Sequence, residues 1–270
     1  MRTIRKYFYY LWSVFELLWG VKNWKVLFDI FLGKPYDGFK WMELRRDDLK
    51  IGVGSKMEAW SVKETLIDRF YTRLGVDVEP DWVVVDIGAA IGEFTIEAAL
   101  NLKDGMVHAF EPNPGAINIL RQNIRANKLE RVTTYNLGVW SEAGEIPLNY
   151  LNAERLQAMS GQLAPDQEIT KETSIPVISL AELLREKVLD QIDLMKLDCE
   201  GAEYDILIGQ ESELYKRIDR IIMEYHDLDA SKNHHLLVQY FKDLGYEVET
   251  YPNLVHKKLG YLFAKRQEPA

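Results

Sequence analysis

The chain predicts an α/β fold: a doubly wound, mostly parallel sheet of seven strands with helices on both faces, preceded by a helical, aromatic N-terminal extension. Three observations carry this. From residue 82 onward, short apolar runs rich in β-branched residues alternate with longer helical periods. A glycine turn, Asp86-Ile87-Gly88-Ala89-Ala90-Ile91-Gly92, joins the first run to a helix. At 270 residues, 47% hydrophobic and 28% charged, the chain can bury a core but is short for two full domains. Residues 1–80 therefore read as an extension or cap and residues 81–270 as the main domain.

The extension is the basic part of an acidic protein. Residues 1–50 hold ten Lys and Arg against six Asp and Glu, so within a net charge of −9 the other 220 residues carry −13. Between Tyr7 and Trp19 the only charge is Glu16, and as a helix this segment is apolar on nearly every face. It is shorter than the roughly 20 residues of a membrane span, and Lys22, Lys25 and Asp29 interrupt its continuation. Residues 1–32 are therefore expected to make a peripheral membrane contact, to form a homodimer contact, or to pack on their own domain.

In the main domain the spacing predicts strands at 82–87, 106–110, 131–136, 192–198, 219–225, 245–251 and 260–265. Asn113 and Pro114 mark a helix start, as N-cap and first helical residue, and Ile117, Leu120 and Ile124 line its inner face. A helix over 231–243 takes Ser231 as its cap and turns Leu236, Leu237, Tyr240 and Phe241 inward. Residues 152–173, polar and holding Gly161 and Pro165, read as a loop or lid over the functional edge of the sheet.

The net charge and a pI of about 5.2 argue against a nucleic-acid partner, because binding that backbone requires clustered cations. A small-molecule or glycan substrate is expected instead. The single cysteine, Cys199, excludes an internal disulfide and a cysteine-rich zinc site. With no small-residue cleavage site near the N-terminus, the expected compartment is the cytoplasm, with membrane association if residues 1–32 bind lipid.

The glycine turn is D-x-G-x-x-x-G, not the G-x-G-x-x-G that frees helix amides for a pyrophosphate, which argues against a nicotinamide-dependent reductase. A ligand with an amino-acid moiety and a sulfonium, but no phosphate, favours a nearby carboxylate, which Asp86 supplies. The bland alternative is a turn that only packs helix on strand. Glu111 ends the second strand, where its carboxylate can accept hydrogen bonds from both hydroxyls of an adenosine ribose. Asn136 and Gly138, at the end of the third strand, can read an adenine edge or simply close that strand.

Four segments, VVVDIGAAIGEFT, HAFEPNP, LMKLDCEGAEYDIL and IIMEYH, stand in this order between residues 83 and 226. Here the chain resembles the FkbM-type methyltransferases over roughly residues 50–265. The resemblance implies a Rossmann-like class I methyltransferase fold, S-adenosylmethionine as cofactor, and methyl transfer to a hydroxyl on a sugar, glycan or secondary metabolite. Asp86, Gly88, Ala90, Gly92, Glu111, Asn113, Asn136 and Gly138 are the candidate cofactor-binding residues. Ala90 departs from the family, which usually carries Asn there. The alternatives are a nucleic-acid or protein methyltransferase on the same fold, or a non-catalytic binding module; the N/D-P-P-Y/F segment common in amino-methylating enzymes is absent.

The sulfonium methyl is already activated, so catalysis consists mainly of aligning an acceptor oxygen and removing its proton. Lys196 and Asp198 project to one face of their strand, and Glu224 and His226 end the next, so these four are the candidate catalytic residues. His226, with an ordinary pKa of about 6.5, is the expected base. Lys196 has a second reading, as the buried partner of a neighbouring carboxylate. Asp198, Glu224 and His226 are also the expected ligands if a divalent metal acidifies the hydroxyl. Glu203, in the first turn of the following helix, reads chiefly as a helix-dipole residue.

Overall fold

The computed structural model describes residues 12–34, 38–151, 157–159, 169–186, 189–253 and 256–267. Helix α1 runs through residues 12–20 and α2 spans Lys25–Phe31. Within the extension, which the sequence suggested is mostly helical, an antiparallel hairpin follows, β1 (Lys40–Glu43) with β2 (Lys50–Val53). Helix α3 (Lys56–Val62) starts where the Ser55 hydroxyl accepts the Glu58 N–H, runs into a π-helical turn (Lys63–Ile67), and is followed by α4 (Phe70–Arg73).

One face of the extension packs on the main domain. Leu17, Val21, Leu27 and Ile30 bury against Met42, Ile51 and Val53 of the hairpin and against Ile91, Ile96 and Ile119 beyond it. The buried Lys63 pins α1 in place, with Nζ 3.0 Å from both Ser13 Oγ and Glu16 Oε2 and also paired to Asp68. Among the described residues no helix is long and apolar enough to cross a membrane.

The main domain continues through β3 (Val83–Ile87), α5 (Glu93–Ala99), β4 (Met106–Phe110), α6 (Pro114–Ala126) and β5 (Val132–Tyr135). Asn113 caps α6 as expected, accepting from Gly115 N and Ala116 N at 2.7 and 3.2 Å. Next come β6 (Gly138–Trp140), β7 (Gly144–Leu151), β8 (Gln157–Met159) and β9 (Ile169–Ser179), which form a separate four-stranded sheet in the order β6-β9-β7-β8. The predicted lid is therefore strand at 157–159 and 169–173, while 152–156 and 160–168 lie outside the described residues. Ile175 and Val177 alternate into the core beside Val139, and that period of two holds β9 on the domain.

The chain ends with α7 (Leu180–Glu186), β10 (Leu194–Leu197), α8 (Glu203–Leu207), α9 (Ser212–Tyr215), β11 (Arg220–His226), α10 (His234–Asp243), β12 (Tyr246–Pro252) and β13 (Leu259–Arg266). Asn233, not Ser231, caps α10, because the helix begins at His234 and the Asn233 side chain accepts from His235 N at 3.1 Å. Only Leu237 and Phe241 of the predicted inner face are fully buried; Leu236 is exposed and Tyr240 half-buried. The seven-stranded sheet has the order β12-β13-β11-β10-β3-β4-β5, parallel except for β13, which runs antiparallel to both neighbours. Strand order reverses between β3 and β10, and in such sheets the crevice outside the carboxyl ends at that point is where ligands bind.

Candidate active site

The carboxyl ends of β3, β4, β10 and β11 open into a cavity of about 650 Å³. Its floor comes from the strand ends: Gly88 and Ala90 after β3, Glu111 after β4, Gly138 in β6, Asp198 and Glu200 after β10, and Glu224 and His226 of β11. Glu58, Trp60 and Glu64 wall one side from α3 and its π-turn, and Tyr261 another from β13. Seven carboxylates line this space, with no lysine or arginine among its described lining residues. Such a lining suits a cation and repels phosphate.

The floor depends on backbone that few residues can adopt. Gly88 has φ +75°, and a Cβ there would lie 2.1 Å from the Asp198 carbonyl oxygen, so β3 and β10 can close on each other only with glycine at this position. Ala90 is also left-handed, at φ +46°. Asparagine tolerates that conformation better than alanine, which gives a physical reason for the family's usual residue. Glu111 staples the loop: Oε2 accepts the Ala90 N–H at 2.8 Å and Oε1 the Asn113 N–H at 2.7 Å. Burial pushes its pKa up to about 7 against the pull of these two donors.

Five expected site residues, Asp86, Gly92, Asn113, Asn136 and Lys196, do not line the cavity. Asp86 and Lys196 are register partners across β3 and β10 and form an ion pair of 3.1 Å beneath the loop. Asp86 also accepts from Thr95 Oγ1 at 2.6 Å, and Lys196 Nζ donates to the Gly88 carbonyl at 2.9 Å. Burial works against the lysine's charge, but Asp86 and Asp198 outweigh it and its pKa is pushed up. The paired reading of Lys196 is thus the one the structure realises. Asn136 Nδ2 donates to the carbonyls of Glu111 and Pro112 at 3.0 and 2.9 Å, holding the strand end that presents Glu111. Gly92, at φ +96°, turns the chain into α5.

Asp198, Glu224 and His226 do meet in one cavity, as the strand ends suggested. The imidazole lies between two carboxylates, with Nδ1 3.4 Å from Glu203 Oε1 and Nε2 3.5 Å from Glu200 Oε2. Burial opposes its charge, yet these two carboxylates dominate and raise its pKa to about 11. A pKa raised this far favours the imidazolium at neutral pH, which has no lone pair to accept a proton, and so speaks against the histidine base that the sequence suggested. Burial instead raises Asp198 and Glu224, Glu224 well above the ordinary carboxylate range, each augmented by neighbouring carboxylates. The metal alternative does not fit either. Both ring nitrogens of His226 face carboxylates, and no group of three or more His, Cys, Asp or Glu among the described residues is arranged to hold an ion.

Glu203 is fully buried and does more than stabilise a helix start: its Oε1 accepts from Cys199 N at 2.9 Å and Gly201 N at 3.3 Å, holding the loop that carries Glu200. Sequence reasoning missed Glu58, Trp60, Glu64, Glu93 and Tyr261. One legible signal was Ser55-Lys56-Met57-Glu58, a capping-box pattern that marks the start of α3. Nothing local in the sequence says that this helix walls the cavity.

The Methyltransferase FkbM domain matches residues 86–248. The chain belongs to the FkbM methyltransferase family. It is 33% identical over 199 residues to the 31-O-demethyl-FK506 methyltransferase FkbM of Streptomyces tacrolimicus, covering 63% of this chain and 75% of that protein. It is 28% identical over 209 residues to Methyltransferase sdnD of Sordaria araneosa, covering 67% and 80%. The crystal structure of Methyltransferase FkbM from Methylobacillus flagellatus KT shares the fold, with a TM-score of 0.51 at 16% identity over 76% of this chain and 53% of that one. The protein is thus an S-adenosylmethionine-dependent methyltransferase of the FkbM type with the Rossmann-like class I fold.

Proposed function

We propose that this FkbM-family protein transfers a methyl group to a hydroxyl of a sugar, glycan or secondary metabolite, with Asp198 and Glu224 as the proton-accepting pair. The observation that carries this reading is the cavity floor, where two carboxylates of raised pKa stand beside an imidazolium, next to the glycine loop. The relative named 31-O-demethyl-FK506 methyltransferase supports a secondary-metabolite hydroxyl as acceptor.

S-adenosylmethionine supplies an electrophilic methyl group on a cationic sulfur. The residues present fit it. Glu111 offers the ribose hydroxyls a carboxylate, Gly88, Ala90 and Gly138 allow close backbone approach, and the acidic lining favours its positive charges. Asp86 and Lys196 act from beneath, fixing Gly88. On the acceptor side, whichever carboxylate of the Asp198 and Glu224 pair is ionised takes the hydroxyl proton as the oxygen attacks. His226, set between Glu200 and Glu203, places a positive charge beside that pair that lowers both pKa values against the pull of burial. The acidic lining disfavours a nucleic-acid acceptor.

The test is mass-spectrometric detection of a 14-Da adduct on a panel of polyhydroxylated acceptors, with each variant assayed for turnover and for S-adenosylhomocysteine affinity. Glu224→Gln and Asp198→Asn should lower kcat by about 100-fold or more while leaving that affinity within about threefold. Normal turnover in both variants would remove the carboxylate pair from the reaction, and nitrogen methylation alone would remove the hydroxyl acceptor.

A further inference from the structure

We propose that the outward face of α1 and α2 is a docking surface for an anionic lipid bilayer. Both helices are two-faced. Leu17 and Leu27 point into the core, whereas Trp12, Phe15 and Trp19 of α1 and Trp24, Phe28 and Phe31 of α2 are exposed, Trp19 at 72%. Spacings of three and four residues put each set on a single helical face. The rings touch one another along the helices: centroids are 5.7 Å apart for Trp12 and Phe15, 6.4 Å for Phe15 and Trp19, and 5.8 Å for Trp24 and Phe28. Rows of exposed rings of this kind are rarely left in water.

Charge selects the occupant. Residues 1–34 hold six Lys and Arg against two acids, so by composition this segment carries the whole net +4 of residues 1–50, against −13 for the remaining 220, although Lys22 and Lys34 are paired with Asp48 and Asp29. Lys25, beside Trp24, is exposed and makes no ion pair among the described residues. A twofold dimer through this face would set the two +4 segments against each other. An anionic bilayer takes both features at once, with the rings at headgroup depth and the cations on lipid phosphates. The surface is firmly mounted, because Lys63 ties α1 to the π-turn that continues α3, the helix whose Trp60 lines the cavity. Docking would therefore act on an element shared with the acceptor site, whatever the acceptor is.

The test uses the full chain and two vesicle preparations, phosphatidylcholine alone and phosphatidylcholine with about 30% phosphatidylglycerol. The protein should sediment with the anionic vesicles at least about tenfold better than with the neutral ones. The double substitution Trp19→Ser, Phe28→Ser should abolish sedimentation without changing S-adenosylhomocysteine affinity, which reports an intact fold. Bromine-labelled acyl chains should quench tryptophan fluorescence in the unsubstituted protein, reading the same contact without any variant. No sedimentation, no quenching, or full binding by the double variant would overturn the proposal. A stable dimer that the double variant turns into monomers would also overturn it, assigning the face to a second copy.

Discussion

Replacing Lys196 with methionine removes one half of an ion pair whose side chains are 5% and 0% exposed. Methionine keeps most of the lysine stem's volume, so the cavity penalty is small. The main cost is Asp86, left charged in the sheet centre with the Thr95 hydroxyl as its remaining side-chain hydrogen-bond donor among the described residues. Breaking a buried pair from one side costs about 3–5 kcal/mol. At roughly 2–4 °C per kcal/mol for a domain of this size, the melting temperature should fall by about 10 °C. Urea unfolding and calorimetry at pH 7 would read both quantities. Because the cost is an orphaned charge, Asp86→Asn combined with Lys196→Met should recover at least about 1 kcal/mol relative to the sum of the single changes. A loss below about 1 kcal/mol for Lys196→Met, or strict additivity in the double variant, would refute the reasoning. A variant of full stability that lost turnover would return Lys196 to the acceptor side of the reaction.

Gly88→Ala adds about 1–2 kcal/mol of backbone strain at φ +75°, before the clash with the Asp198 carbonyl, so S-adenosylhomocysteine binding measured by calorimetry should be lost. Glu111→Gln should weaken that binding by about 1.5–3 kcal/mol. With the Glu111 pKa pushed up to about 7 by burial, wild-type affinity should rise with pH across neutrality more steeply than the variant's, and equal slopes would refute the role. His226 gains stability from a folded-state pKa of about 11, above its unfolded value of about 6.5. That contribution is complete below pH 6.5 and disappears as pH climbs through 11. The stability gap between wild type and His226→Gln in urea should therefore shrink steadily over that window, whereas a constant gap would mean that the imidazole is neutral.

Local chemistry made much of this protein legible. The apolar runs marked all seven strands of the main sheet to within two residues at each end, most plainly the central β3, whose burial on both faces demands an apolar run. Asn113 and Pro114 marked the start of α6, because capping is settled within four residues of chain. The order of strand ends already brought Asp198, Glu224 and His226 towards one crevice. What escaped was decided across the chain. The smaller sheet of β6 to β9 went unread because stretches such as Lys171-Glu172-Thr173-Ser174 are polar and read as loop, and only their pairing with one another makes them strands. The wall of α3 depends on where the extension folds back, which no residue in it announces. Above all, protonation belongs to the tertiary structure. The sequence by itself placed a histidine at a strand end, where an ordinary pKa makes it a base. Only the fold set it between Glu200 and Glu203, from the loop after a different strand and the helix that follows, whose carboxylates raise its pKa to about 11 and, on the proposed reading, leave the substrate proton to Asp198 or Glu224.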